Sequence, residues 1–250
     1  MTGTEDLLLA PQLPPLLAPR AVDRRIDPFF KAIAAGEAEE EPGLVIHAED
    51  PGAMRLAILL APETPLREAI GAGFAVSLGL ADALGALGPP ELAVHFTWPK
   101  GILVNRAEAG RLRVASSTGD PDAIPDWLVF ALDVALARKS EDPGLDPTRT
   151  TLEDEGCVGL STPRLIESWS RHFLVWLNRF MDEGLRPLHE AWCARCMEIG
   201  KPLEEWPGNL SLPHEKSSLF LGLDERGGML LRQDGETVLL PLHEQLDHPR

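Results

Sequence analysis

The segment HFTWPKGILVNRAEAGRLRVASS, residues 95–117, contains the pattern that decides the fold. Residues Ile102–Val104 are a short aliphatic run, and residues Arg111–Ala115 alternate polar and apolar side chains with the period of two expected of a strand. Between the runs lie three residues that supply turn chemistry: Asn105, Arg106 and Glu108. The segment therefore predicts a β-hairpin. Gly110, at the start of its second strand, would let a backbone or a ligand approach closely.

The composition excludes several classes of partner. The chain has 250 residues, 44% of them hydrophobic, which is enough to bury a full core. Its formal net charge of -16 disfavours nucleic acid, because phosphate binding needs clustered lysines and arginines. The same charge disfavours an anionic membrane surface. We therefore expect neither a nucleic-acid nor a membrane partner.

The cysteines do not form a recognisable framework. There are three, an odd number, so a set of structural disulfides is not expected. Cys193 and Cys196 form a single C-x-x-C within a helical pattern, and Cys157 does not supply the second pair that a zinc site needs. We interpret all three as ordinary side chains and expect no metal ligands.

The N-terminal region predicts an extended arm. Five prolines lie between residues 11 and 28, which disfavours a helix and suits an extended chain over residues 1 to about 25. A partly ordered tail would explain the same composition. No basic residues precede its apolar run, as they would in a secretory signal, and no run approaches a membrane span, so we expect a cytoplasmic protein.

Four further patterns outline the domain. Asp27-Pro28 predicts a helix start with Phe29, Phe30 and Ile33 on one face. Apolar residues at helical spacing predict a helix over residues 65–87, and a second helical region over residues 163–199 that Gly184 interrupts. The continuous apolar run 127–136 predicts a buried strand.

Residues 95–117 resemble the signature of the biotin and lipoate protein ligases. That family has a Trp-Pro-Asn-Asp strand entry, then a lysine three residues before a glycine that opens a Gly-x-Leu strand. The matching residues are Trp98, Pro99, Ala109, Gly110 and Leu112. Lys100 and Gly101 replace the Asn-Asp pair. Ala107 stands at the lysine position, or Glu108 does when the count starts from the tryptophan.

The resemblance also shows what is missing. In biotin ligases the strand equivalent to residues 43–49 is followed by a Gly-Arg-rich loop whose arginines and amides hold the adenylate phosphate. Here the next strand, Arg55–Leu60, follows after five residues, of which none is basic. The family's Gly-x-Gly-x-Asn strand, which lines the ligand pocket, has larger residues here: Phe130, Leu132 and Val134. We expect these larger side chains to narrow that part of the pocket or to push it aside.

The end of the chain resembles the small C-terminal domain of bacterial biotin ligases. Three short strands separated by glycine turns are predicted within residues 218–240, and the leucines at 219, 221, 230 and 239 are the expected inward positions. The resemblance covers roughly residues 26–246 and leaves no room for a DNA-binding domain. It implies an α+β fold, a mixed β-sheet packed on helices over residues 1–205, followed by a small SH3-like β barrel over residues 206–250.

Two functions remain open. The first is a ligase-like protein that binds a small carboxylic acid or a protein partner without ordinary biotin ligation. The second is an active ATP-dependent ligase that would use Mg²⁺, form an acyl-adenylate and modify a lysine of an acyl-carrier-type domain. Lys100 is the candidate catalytic cation, since it directly follows Trp98-Pro99. The candidate ligand-binding residues are Trp98, Asn105, Arg106, Gly110, Arg111 and Leu112, with Trp98 at the pocket wall and Gly110 at its floor.

Overall fold

The computed structural model describes residues 10–137, 148–203 and 218–247. The strands are β1 Ala18–Asp23, β2 Leu44–Glu49, β3 Ala53–Leu60, β4 Val94–Thr97, β5 Gly101–Val104, β6 Ala107–Ser116, β7 Leu128–Ala135, β8 Leu219–Leu223, β9 Met229–Gln233 and β10 Glu236–Leu240. The helices are α1 Pro28–Glu37, α2 Leu66–Ala69, α3 Ala72–Leu87, α4 Thr162–Glu183 and α5 Arg186–Cys193, with a 3-10 turn at Leu242–Gln245.

The first seven strands form one mixed sheet in the order β1-β2-β3-β7-β6-β5-β4. Strand β1 is parallel to β2, and the other neighbours are antiparallel. The expected N-terminal arm is thus extended and in part an edge strand of the sheet. Residues 1–9 lie outside the described residues. The α+β class, with a mixed sheet packed on helices, is confirmed.

Each face of the sheet buries its own core. The larger core joins alternate residues of β3, β6 and β7 to α3, α4 and α5, and the smaller one packs the opposite face against α1. Helix α1 begins as predicted, because the Asp27 side chain accepts a hydrogen bond from the amide of Phe29. Phe29 and Ile33 are buried, whereas Phe30 is 46% exposed and does not share their face.

The helix expected over residues 65–87 is two helices that meet at Ile70-Gly71. Its second part, α3, packs against α4 closely enough that a Cβ on Gly79 would lie 2.8 Å from the backbone of Phe173. The stretch Leu66–Leu87 is long and apolar enough to cross a membrane, but most of it is buried inside the protein. It is the core helix of this fold, and Trp169 and Phe173 of α4 complete the core around it.

The central hairpin is formed by β5 and β6 and has a two-residue turn. Asn105 and Arg106 both have positive φ, 47° and 76°, as a tight hairpin turn requires. Strand β6 begins earlier than expected, at Ala107, so Glu108 is a strand residue rather than a turn residue. A register shift at Ile102/Leu103 leaves Ala109 as the extra residue between Glu108 and Gly110.

The C-terminal strands form a three-stranded antiparallel sheet, β10-β9-β8. The expected strands are present, but the described residues show this small sheet and not a closed barrel. The expectation that four leucines point inward is wrong. Leu219, Leu221 and Leu230 are only partly buried, and Leu239 is 44% exposed. The inward side chains are Phe220, Met229 and Leu231, which join the larger core of the main sheet. The predicted boundary near residue 205 lies in residues 204–217, outside the described residues, so the two-domain division stays a prediction.

Candidate functional site

A cleft of about 640 Å³ opens where β3, β6 and β7 meet at one end of the central sheet. Its walls come from the starts of β3 and β6, the end of β7, and the segment that follows β7 after the undescribed residues 138–147. The lining residues are Gly52, Ala53, Arg55, Glu108, Ala109, Gly110, Arg111, Asp133, Val134, Ala135, Ala137, Arg149, Thr150 and Thr151. Both acidic and basic side chains line the cleft, so it can bind a polar ligand.

The turn between β2 and β3 borders this cleft, and none of its backbone N–H groups is free to donate a hydrogen bond to a ligand. It has three residues, Asp50-Pro51-Gly52. The Asp50 amide donates to the Ala48 carbonyl at 2.9 Å, proline has no N–H, and the Gly52 amide donates to Asp50 Oδ1 at 3.0 Å. A phosphate-binding loop needs several outward-facing N–H groups at once. This turn therefore cannot hold a phosphate through its backbone.

Further hydrogen bonds fix the turn in place. The Thr162 hydroxyl, at the start of α4, donates to the Asp50 carbonyl at 2.8 Å. The Gly52 carbonyl accepts from the amides of Leu136 and Ala137, at 3.0 and 3.1 Å. The short connection expected from the sequence is thus a rigid part of the cleft wall.

Three arginines provide the positive charge of the cleft. Arg55 lies 3.5 Å from Asp50 Oδ2 and donates to the Arg24 carbonyl. Arg111 is 63% exposed and lies 3.8 Å from Asp133 Oδ2, and Arg149 is exposed at the rim. None of these contacts occupies a whole guanidinium, which carries five N–H donors, so all three can still bind an anion.

Asp133 is a largely buried carboxylate in the cleft, with its side chain 26% exposed. Burial raises its pKa, and the guanidiniums of Arg113 and Arg111 act in the opposite direction. Arg113 is held behind it: its Nη1 atom lies 2.7 Å from Asp27 Oδ2 and 3.8 Å from Asp133 Oδ2, and its guanidinium stacks on Phe29. Among the described residues, the ion-pair partners of Asp133 are therefore too far away to hydrogen-bond with its carboxylate. The carboxylate can accept a hydrogen bond from a ligand.

Residues 148–151 close the remaining side of the cleft. The Glu108 amide donates to the Thr148 carbonyl at 2.8 Å, and the Thr150 amide donates to the Glu108 carbonyl at 2.9 Å. The hydroxyls of Thr150 and Thr151 donate to Glu155 and Asp154. This pairing positions the backbone of Arg149 beside the start of β6.

The candidate binding residues divide into three places. Gly110 and Arg111 line the cleft. A Cβ on Gly110 would lie 2.3 Å from the Asp133 carbonyl oxygen, so its missing side chain makes room for β7 as well as for a ligand. Leu112 lies outside the cleft and is buried in the larger core.

Trp98 and Lys100 lie against the C-terminal segment rather than in the cleft. Trp98 is 2% exposed, and its indole N–H donates to the Gly227 carbonyl at 2.8 Å. The Lys100 ammonium lies 2.8 Å from both the Gln245 carbonyl and Asp247 Oδ2. The catalytic role of Lys100 remains a prediction, and in this structure its charge is paired within the chain.

Asn105 and Arg106 are at the hairpin tip. Asn105 exchanges hydrogen bonds with the backbone of Ala93, and its side-chain amide donates to Glu155 at 2.6 Å. These contacts tie the hairpin to its neighbours. His95, which the strand pattern favours as a structural residue, has a buried Nδ1 with no hydrogen-bond partner among the described residues, and burial lowers its pKa.

The enlarged residues of β7 fill space on the core face of the sheet. Phe130, Leu132 and Val134 are each at most 1% exposed. Phe130 packs under α3 at Gly73, where a Cβ would lie 3.0 Å from its ring. Of the three, only Val134 lines the cleft, so the expected narrowing of the pocket stays a prediction.

Sequence reasoning missed Arg55, Asp133 and Arg149 as cleft residues. Their signal was weak because they belong to three segments that the sheet order β3-β7-β6 brings together. The short spacing before Arg55 drew attention to an absent loop and not to the arginine that borders it.

A mixed sheet with a helical layer and a cleft at the end of its central strands is the architecture that the resemblance to the biotin and lipoate protein ligases implies. The comparisons give the family. Residues 13–194 match the Biotin/lipoate A/B protein ligase family, and the chain belongs to it. The expected family resemblance is thus confirmed.

Named relatives agree with this assignment. The chain is 23% identical over 190 residues to the biotin–[acetyl-CoA-carboxylase] ligase of Paracoccus denitrificans, covering 75% of this chain and 77% of that protein. It is 28% identical over 170 residues to the bifunctional ligase/repressor BirA of Escherichia coli, covering 67% of this chain and 50% of that protein. The chain thus spans about half the length of the latter.

Solved structures show the same fold. A biotin protein ligase-like protein of unknown function from Silicibacter sp. tm1040 superposes with a TM-score of 0.85 at 39% identity, over 96% of this chain and 100% of that one. The biotin protein ligase of Aquifex aeolicus in complex with biotin and ATP superposes with a TM-score of 0.65 at 13% identity, over 90% of this chain and 94% of that one. At that identity the second likeness concerns the fold alone.

Proposed function

We propose that this protein binds a small carboxylate in the cleft and does not carry out ordinary biotin ligation. The observation that carries the proposal is the Asp50-Pro51-Gly52 turn, in which each available N–H is already bonded within the chain. In an adenylate-forming ligase such groups stabilise the phosphate in the transition state. The lysine of the family signature is also replaced, by Ala107 or Glu108.

The three arginines support a carboxylate as the ligand. A guanidinium can bind a carboxylate through two parallel hydrogen bonds, and Arg149 and Arg111 are exposed enough to do so. Asp133 and Glu108 would select against a second negative group placed deeper in the cleft. The ligand would therefore carry one carboxylate at the rim and a neutral or hydrogen-bond-donating part inside.

The second candidate is an active ligase, which the same arginines favour because they could also face phosphates. ATP and Mg²⁺ would then be needed, and the Aquifex enzyme named above was solved with biotin and ATP.

No group of three metal-binding side chains occurs within residues 10–137, 148–203 and 218–247. Mg²⁺ commonly uses one or two carboxylates together with substrate phosphates, and Asp133 and Glu108 would supply them. An acyl-carrier-type domain would be the acceptor, and a cytoplasmic location fits either candidate.

Two measurements separate the candidates. Biotin-dependent exchange of labelled pyrophosphate into ATP should not reach the rate typical of a biotin ligase. Exchange at that rate, abolished by Arg111→Met and by Arg149→Met, would establish the active enzyme instead. Calorimetric titration with a panel of small acids, including biotin and lipoate, should find a carboxylate whose affinity falls at least about tenfold in Arg149→Met. Arg226→Met, which removes an exposed arginine elsewhere, is the matched control and should leave that affinity unchanged.

A further inference from the structure

The edge of β6 has a stretch that no strand of the central sheet covers. Strand β5 begins at Gly101, which pairs with Arg111, and the Leu112 amide donates to the Lys100 carbonyl at 2.7 Å. Beyond this point β6 continues to Ser116 without a β5 partner. Its backbone groups there need another partner or water.

Asp247 supplies that partner. Its amide donates to the Val114 carbonyl at 2.7 Å, and its Oδ2 atom accepts from the Val114 amide at 2.8 Å. The same carboxylate oxygen lies 2.8 Å from the Lys100 ammonium. An ammonium and a backbone N–H thus converge on one carboxylate oxygen, which is the arrangement of a carboxylate-binding site.

An apolar pocket lies directly beneath this pair. Its cavity is about 20 Å³, room for one water molecule, and both Lys100 and Gln245 border it. The rest of the lining is mostly apolar and includes Phe74, Leu112, Val114, Phe130, Trp192 and Leu242; the Ser77 hydroxyl also borders the pocket and donates to the Gly73 carbonyl. Leu242 belongs to the same C-terminal segment as Asp247, so withdrawal of residues 242–247 would remove a wall and the carboxylate together.

We propose that Lys100 and the Val114 amide form a second ligand site, for a monocarboxylate with an apolar tail, which the segment 242–247 occupies in this structure. The ligand's carboxylate would replace that of Asp247, and its tail would take the place of the Leu242 side chain. This site shares no lining residue with the arginine-lined cleft, so it does not depend on the function proposed above.

The physical reason for weak binding in the wild type is intramolecular competition. A carboxylate on the same chain acts at an effective concentration in the millimolar range or above, so a free acid must compete with it. Only the fraction of molecules with the segment withdrawn can bind, and the apparent affinity falls by that fraction. Removing the charge of Asp247 should therefore reveal the site.

The test uses hexanoate as the probe and three variants of the whole chain. Asp247→Asn weakens the internal competitor, and Glu244→Gln removes an exposed charge from the same segment without touching Lys100. We expect hexanoate to bind Asp247→Asn at least about tenfold more tightly than it binds the wild type or Glu244→Gln. The third variant, Asp247→Asn with Lys100→Met, keeps the apolar stem of the lysine and should lose the gain.

Each other result overturns the proposal. Equal affinities in Asp247→Asn and Glu244→Gln would show that the segment is a structural part and not a competitor. A gain that survives Lys100→Met would place the carboxylate elsewhere, and its loss in Arg149→Met would then place it in the arginine-lined cleft. Near-ultraviolet circular dichroism monitors the packing of Trp98 and Trp192. If Asp247→Asn fails to fold, wild-type protein supplies a second measurement. Hexanoate should then protect Lys100 from acylation at least as strongly as it protects Arg149 from dicarbonyl modification. Weaker protection of Lys100 than of Arg149 would overturn the proposal.

Discussion

The indole N–H of Trp98 donates a hydrogen bond to the carbonyl of Gly227 at 2.8 Å, across 129 positions of the chain. Both residues are buried, so this bond joins the entry of the central hairpin to the turn before β9 in a region that water does not reach. The tryptophan of the family signature is thus one of the residues that join the main sheet to the C-terminal one.

Replacing Trp98 with Phe should destabilise the protein by about 1–2 kcal/mol, because the Gly227 carbonyl would remain buried without a donor. Urea unfolding followed by circular dichroism measures the change. The comparison is Trp127→Phe, since Trp127 packs on the α1 side of the sheet. Both variants lose an indole, but only Trp98→Phe should release the C-terminal sheet to limited proteolysis. Equal protease sensitivity in the two variants would contradict this role.

Asp27 makes two contacts that can be separated by substitution. One carboxylate oxygen caps α1 at the Phe29 amide, 3.0 Å away, and the other pairs with Arg113 at 2.7 Å. Asn keeps the cap and loses the charge, so Asp27→Asn should cost about 1 kcal/mol, whereas Asp27→Ala should cost about 2–3 kcal/mol. Identical unfolding free energies for the two variants would mean that the cap contributes nothing measurable.

Asp133 should give the stability a pH dependence of unusual sign for a carboxylate. Burial raises its pKa above the ordinary 3.8, so the folded protein holds this proton more tightly than the unfolded chain does. The stabilisation is complete below the ordinary value and is lost as the pH rises through the folded-state pKa. Unfolding free energies measured from pH 3 upward should show this decrease in the wild type relative to Asp133→Asn.

The control for that experiment is Asp182→Asn, an exposed carboxylate on α4. Its difference from the wild type should not follow the decrease assigned to Asp133. A wild-type curve that stays parallel to that of Asp133→Asn over the whole range would refute the assignment.

The cysteines should react slowly in the folded protein. Burial raises the pKa of Cys196 to about 12 and also raises the pKa values of Cys193 and Cys157, so little reactive thiolate exists at pH 8. Iodoacetamide should modify none of the three rapidly until urea unfolds the chain. Fast alkylation of Cys193 or Cys196 in native protein, identified by mass spectrometry, would contradict this prediction and point to a reactive C-x-x-C pair.

The hairpin and the sheet could be predicted because their pattern is local. Alternation in Arg111–Ala115 and the run Ile102–Val104 report burial on one face, and a turn with Asn105 connects them at minimal length. The family signature then supplied the neighbours. Glu108 was misplaced because the turn has only two residues, so β6 already begins at Ala107 and Glu108 pairs with Leu103 of β5.

The C-terminal strands show where alternation fails. Residues 218–223, SLFLGL, are apolar on both sides of the strand, so the period of two cannot choose the inward face. A register shift between Phe220 and Gly222 changes the phase within β8 itself. The inward set Phe220, Met229 and Leu231 is selected by contact with the larger core, and no local pattern contains that information.

The cleft was only partly predictable for a similar reason. Gly110 and Arg111 belong to the hairpin and were found with it. Arg55, Asp133 and Arg149 lie on separate segments, and their proximity follows from a strand order that differs from the chain order.

The sharing of one core by residues far apart in the chain has a consequence during synthesis. Leu17 of the N-terminal arm and Phe220 of β8 belong to the same buried cluster. When only the main sheet has been synthesised, the apolar surface that Phe220, Met229 and Leu231 later cover is exposed to water. Until residues 218–247 emerge from the ribosome, the half-made protein presents that apolar surface to other chains and to chaperones.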